Sequence, residues 1–231
     1  MTTATILNQL DCVRLRIARA ATNAGRNPTD VALLAVSKTQ SADAVRAAHT
    51  AGQRAFGENY VQEAVTKMDA LADLAGHIEW HLIGPLQANK TRVVAERFDW
   101  VQSVDRLRIA QRLSDQRPAW LAPLNICIQV NISGEASKSG AEPTEVPALA
   151  QAIAALPRLA LRGLMAVPAP GSGAAPHRAL RELAHSLGLA TLSMGMSDDL
   201  ELAIAEGSTL VRVGTAIFGA RAPQPPSLQS G

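Results

Sequence analysis

Residues 31–56 read VALLAVSKTQSADAVRAAHTAGQRAF, and this stretch decides the fold. Val31–Val36 is apolar throughout, the pattern of a strand covered on both faces. Ser41 stands where an N-cap hydroxyl accepts a backbone N–H, and Ser41–Ala51 follows at helical spacing. Gly52 comes where a helix stops in the left-handed region. Arg54–Phe56 then opens a second strand, so the unit is strand, helix, strand.

The same unit recurs along the chain. Further strands are predicted at Glu79–Ile83, Trp100–Val104, Leu124–Ile132, Leu161–Val167, Thr191–Met194 and Leu210–Val213. Helices are predicted at Tyr60–Leu74, Lys90–Arg97, Arg106–Ser114, Glu145–Leu156, His177–Leu187 and Asp198–Glu206. Asp105, Thr144 and Ser197 sit at N-cap positions, and Gly188 and Gly207 at helix stops. An additional helix, Thr3–Ala24, repeats Ile6, Leu10, Val13 and Ile17 at three- and four-residue steps. Eight strand–helix repeats allow an open doubly wound sheet or a closed (β/α)8 barrel. No GxGxxG follows an early strand, and eight units in roughly 200 residues suit a compact barrel. The expectation is one α/β domain, a single TIM barrel over residues 1–221. Residues 222–231, APQPPSLQSG, are expected to form a mobile tail.

Composition narrows the function. The 231 residues are 47% hydrophobic and 18% charged, the balance of a soluble globular protein. Lys plus Arg is 22 against 20 for Asp plus Glu, a net +2, which leaves no nucleic-acid footprint. Aromatics at 3% exclude base-stacking platforms as a main theme. No apolar run is long enough for a membrane span. The opening MTTATILNQLDCVRLR lacks the apolar stretch of a signal peptide, so a cytoplasmic protein is expected. Cys12 and Cys127 are too few for a disulfide framework, and Cys127 reads as buried filler. With His49, His77, His177 and His185, Cys12 shows no ligand spacing, so no metal is expected. Modest charge and one domain suggest a monomer.

Barrel sites lie at the C-terminal ends of the strands. Lys38 directly follows the first strand. Two readings stand for it: a solvated lysine at a strand end, or a partly desolvated amine able to form a Schiff base with an aldehyde. Ser197 precedes a helix, and Gly214 and Thr215 follow the last strand. The loops after strands seven and eight are the usual phosphate site of this fold, although capping and a turn would also explain those residues. Arg212 follows a valine on the last strand, where an inward charge is costly unless paired. Asn59 reads as a turn residue and His81 as a satisfied core group, unless they line the pocket. An amine and a phosphate cup on one rim suggest a phosphorylated aldehyde or ketone.

Five segments, VALLAVSKTQ, FGENYVQEA, HLIGPLQANKTR, SMGMSDDLELAI and RVGTAIFGAR, resemble those of the pyridoxal 5′-phosphate (PLP) homeostasis protein family, also called YggS or PROSC. The likeness runs from about Arg26 to Arg221. It implies a barrel of the alanine racemase N-terminal-domain type, with PLP held as an internal aldimine on Lys38. It implies phosphate contacts from Ser197, Gly214 and Thr215, and Arg212 facing the pyridine nitrogen. It makes Asn59 and His81 pocket neighbours and Lys138 a secondary PLP contact. An arginine at the ring nitrogen disfavours pyridinium and weakens carbanion chemistry. Racemase relatives add a tyrosine base from a second domain, whereas this sequence has only Tyr60. The expected function is a PLP carrier and regulator in vitamin B6 and amino-acid homeostasis, without robust catalysis. Its partners would be PLP and apo forms of PLP-dependent enzymes. The rivals are a low-activity racemase-like PLP enzyme, a PLP-free Schiff-base aldolase, and a pure interaction module.

Overall fold

The apolar runs form strands, and the Ala/Leu-rich stretches between them form helices. A computed structural model describes residues 2–134 and 139–219. Its strands are β1 (Ala32–Val36), β2 (Ala55–Glu58), β3 (Glu79–Leu82), β4 (Trp100–Val104), β5 (Leu124–Gln129), β6 (Leu159–Met165), β7 (Thr191–Ser193) and β8 (Leu210–Val213). Its helices are α1 (Thr3–Asn23), α2 (Ala42–Thr50), α3 (Val61–Ala70), α4 (Thr91–Arg97), α5 (Leu107–Gln116), α6 (Val146–Ala154), α7 (Ala175–Ser186), α8 (Leu200–Ala205) and α9 (Thr215–Phe218). The strands are parallel and close into a barrel in chain order, β8 pairing back to β1 through Leu34↔Arg212 and Ala35↔Val213. The (β/α)8 expectation holds.

Alternation along the strands divides the core into two layers. Ala35, Phe56, Leu82, Val101, Ile126, Leu164 and Val211 are fully buried in the main core. Apart from Ala35, each of these side chains contributes about 1.5–3 kcal/mol on burial. The alternate positions hold Leu34, His81, Gln102, Cys127, Met165, Ser193 and Arg212, all buried. Branched apolar residues usually fill a barrel interior, so this polar share marks a site. Helix α1 buries Ile6, Leu10, Val13 and Ile17, the four residues its spacing selected. It packs against α2, α8 and α9, beside the seam between the first and last strands.

Several boundaries differ from expectation. Ser41 does cap α2, accepting from the Ala44 N–H at 3.2 Å. Asp105 does not cap α5 and instead pairs with Arg106 at 2.7 Å. Thr144 is no cap either, because α6 begins after Glu145. Ser197 gives way to Asp199, whose carboxylate accepts from the Met196 N–H at 2.7 Å and holds the chain in a turn, so α8 starts at Leu200. The helix expected over Tyr60–Leu74 breaks at Leu71 and ends in a 3-10 turn at Ala72–Leu74. Strand β5 stops at Gln129, followed by one isolated bridge between Val130 and Ala141. Lys138 and residues 222–231 lie outside the described residues. Among the described residues no helix is long and apolar enough to cross a membrane.

Candidate functional site

Parallel closure brings the loops after β1, β2, β7 and β8 to one rim. Lys38, Asn59, Ser197, Gly214 and Thr215 all stand there. Strand β1 continues in extended register past Val36, since the Ser37 N–H bonds the Gly57 carbonyl at 2.9 Å. Lys38 therefore shares the inward parity of Leu34, the register partner of Arg212. It is half-buried at the mouth. Thr39 turns the chain away with φ 65°, a left-handed conformation costly for a β-branched residue.

The wall beside it, from β8, is backbone. Gly214 packs so tightly on β1 that a Cβ there would stand 3.0 Å from the Val36 carbonyl oxygen and 3.3 Å from its Cβ. Thr215 begins α9, where the Ile217 and Phe218 N–H groups both donate to the Gly214 carbonyl at 2.9 Å and those of Thr215 and Ala216 stand ahead of the helical ladder. The loop after β7 is tied from two sides. The Arg212 N–H donates to the Gly195 carbonyl at 3.0 Å. Arg16 of α1 donates to the Ser197 carbonyl at 2.7 Å and pairs with Glu201. Asn59 is seated because Gly84 follows β3: a Cβ on Gly84 would come within 2.2 Å of the Asn59 carbonyl oxygen. Among the described residues, the buried Asn59 Oδ1 has no hydrogen-bond partner.

His81 and Arg212 lie lower, inside the barrel. Arg212 donates to Ser193 Oγ at 2.8 Å and to the Ala166 carbonyl at 2.9 Å. The Ser193 hydroxyl donates onward to Gln102 Oε1 at 2.6 Å, across the interior between the non-adjacent strands β7 and β4. That fixes the Gln102 amide, whose Nε2 lies 2.8 Å from His81 Nδ1. The imidazole then accepts at Nδ1 and carries its proton on Nε2, 2.7 Å from Glu79 Oε1. All donors thus run one way, from a guanidinium to a carboxylate. Burial lowers the His81 pKa and keeps the ring neutral, and the ring stacks on Trp100 at 5.1 Å and 7°. Burial brings Arg212 down to about 10, against the opposing attraction of Asp199, so it remains a cation at neutral pH. Cys127 is the expected filler, its thiol pushed up to about 12 by burial.

Sequence reasoning missed this interior relay. Both Gln102 and Ser193 are nonetheless polar residues at inward positions of apolar strands. Also missed was Lys67, which falls on the apolar stripe of α3 among Val61, Ala64 and Met68 and is buried. Among the described residues, no group of three His, Cys, Asp or Glu is placed to hold a metal ion.

Comparison with known proteins identifies the family. The family description "Alanine racemase, N-terminal domain" matches residues 9–222. The pyridoxal phosphate homeostasis protein of Pseudomonas aeruginosa is 63% identical over 223 residues, spanning 94% of this chain and 96% of its own. That of Escherichia coli K12 is 56% identical over 229 residues, spanning 94% and 97%. The solved structure of PipY from Synechococcus elongatus, with PLP bound, superposes at a TM-score of 0.79 with 37% identity, covering 93% of this chain and 100% of that one. Alanine racemase from Bartonella henselae shares the fold at a TM-score of 0.72 and 16% identity, with 60% of its chain matched. The chain belongs to the pyridoxal phosphate homeostasis protein family, whose barrel is that of the alanine racemase N-terminal domain.

Proposed function

We propose that this protein binds PLP covalently through Lys38 and serves as a carrier and regulator of that cofactor in vitamin B6 and amino-acid balance, without robust catalysis. One observation carries the reading. Gly214 packs directly against Val36, two residues before Lys38, so an amine and a backbone cradle share one mouth. Two extended residues span about 7 Å, a gap one small ring can bridge.

The residues fit the molecule at both ends. Bound PLP supplies an aldehyde that condenses with a primary amine, releasing water, and a phosphate that needs backbone donors. Lys38 Nζ is the amine in this assignment. The first turn of α9, opened by Gly214 and Thr215, and the Ser197 loop hold the phosphate. Asn59, with its orphaned Oδ1, meets a polar substituent of the ring. Arg212, fixed by Ser193 and Ala166, presents positive charge to the ring nitrogen and opposes its protonation. His81 acts from beneath, through Gln102 and Ser193, on the orientation of that guanidinium.

A racemase-like enzyme would use the same residues, and turnover separates the two. The purified protein is expected to show a near-UV band with PLP that borohydride abolishes. It should exchange the α-protons of amino acids no faster than free PLP does, and it should restore activity to an apo PLP enzyme. Rapid α-proton exchange would overturn the carrier reading. No band would overturn the covalent one.

A further inference from the structure

We propose that Lys67, with Glu58 and Glu63, forms a positioning cluster that holds the backbone on both sides of Lys38 and so presents its amine to the aldehyde. The inference rests on the PLP reading above. Lys67 Nζ donates to the Ser37 carbonyl at 2.6 Å, to Glu58 Oε1 at 2.7 Å and to Glu63 Oε1 at 2.6 Å. An ammonium has three protons, and each finds an acceptor. The Ser37 hydroxyl donates to the same Glu58 oxygen at 2.6 Å. On the far side of Lys38, the Thr39 N–H donates to Glu63 Oε1 at 2.5 Å. Helix α3 is thereby bolted to the exit of β1 immediately before and after Lys38.

Two features are hard to explain as stability alone. Lys67 and Glu58 are nearly or fully buried, their side chains 6% and 0% exposed, and such pairs seldom repay their desolvation. Glu58 Oε2 has no partner among the described residues, and burial raises the Glu58 pKa. The held segment includes Thr39 at φ 65°, a conformation that persists only where the surroundings impose it. Buried charge spent on a strained backbone beside one lysine fits a device that aims that lysine. In the step concerned, the Lys38 nitrogen bonds the aldehyde carbon and the carbonyl oxygen leaves as water. The cluster contributes no atoms to it.

The test separates aiming from folding. Wild-type protein and the variants Lys67→Met, Lys67→Arg, Glu63→Ala and Glu63→Gln are titrated with PLP and with pyridoxine 5′-phosphate, which has an alcohol in place of the aldehyde. Glu63→Ala is expected to weaken covalent capture by about tenfold, the size of one hydrogen bond to a charged group. Its affinity for pyridoxine 5′-phosphate should stay within about twofold, as for a remote surface change. Glu63→Gln restores capture, because an acceptor for Thr39 returns. Lys67→Met loses capture more deeply, and Lys67→Arg does not rescue it, since a planar fork cannot reach three converging acceptors. Capture at wild-type level in a folded Lys67→Met or Glu63→Ala protein overturns the proposal, as does parallel loss of both ligands. In the unliganded wild-type protein the Thr39 amide should exchange slowly with deuterium. Fast exchange overturns the proposal even if the variants fail to fold. Absence of any borohydride-trapped adduct in wild type would instead show that the PLP reading had failed.

Discussion

Replacing Gln102 by leucine should cost this protein about 4 kcal/mol, the sum of two stranded groups at roughly 1–3 kcal/mol each. Gln102 is fully buried and mediates both interior contacts, accepting from Ser193 at 2.6 Å and facing His81 Nδ1 at 2.8 Å. Leucine fills much the same volume, so the loss is one of hydrogen bonding and not of packing. The Ser193 O–H donor and the His81 Nδ1 acceptor are left buried without partners, while Ser193 Oγ still accepts from Arg212. For a chain of this size, about 4 kcal/mol lowers Tm by about 8–16 °C. Urea denaturation of the unliganded protein near neutral pH is the assay, with the m-value held as a control on the unfolded state. A double variant with Ser193→Ala should cost at least about 1 kcal/mol less than the two single costs added, because two groups stranded in the singles are removed together. A loss under about 1 kcal/mol for Gln102→Leu, with an unchanged m-value, would refute the directed relay as described.

Lys38→Ala should abolish covalent capture of PLP while leaving measurable binding through the phosphate cradle, read by equilibrium dialysis and by mass after borohydride. Gly214→Ala drives a Cβ to 3.0 Å from the Val36 carbonyl oxygen and should weaken pyridoxine 5′-phosphate binding by about tenfold, measured by titration calorimetry. Burial lowers the pKa of His49, His81 and His177 from 6.5, so the unfolded chain takes up protons that the folded chain refuses. Their contribution to stability is full above pH 6.5 and is lost as pH falls, so Tm should drop between pH 7.5 and 5.5, and His81→Gln should flatten that slope. Glu58, shifted upward by burial, works in the opposite sense at lower pH.

The barrel was legible because its signals are local. Continuous apolar strands, glycine stops and the α1 stripe need only neighbours in sequence to be read. Gly52, Gly188 and Gly207 take φ values of 86°, 66° and 99°, as stops should. The rim residues were legible too, since parallel closure sends every strand end to one face. The caps were less so. Ser197 and Asp199 are both good N-caps by type, yet α8 begins after Asp199 with no side-chain cap, because the Asp199 carboxylate accepts from the Met196 N–H of the preceding loop. The relay and the Lys67 cluster were out of reach for a different reason. Gln102 and Ser193 lie 91 residues apart and meet only when β4 and β7 face each other across the interior. Lys67 pairs with Glu63 at helical spacing, which alone reads as a solvated surface pair. Its burial depends on β1 passing beneath it.

The chain contains four lysines, at positions 38, 67, 90 and 138, which makes the decisive measurement simple to interpret. Protein loaded with PLP is reduced with borohydride, digested and mapped by mass. Lys38 standing beside the Gly214–Thr215 cradle predicts one reduced adduct, on the peptide carrying residue 38. An adduct confined to Lys67, Lys90 or Lys138, or none at all, would contradict it.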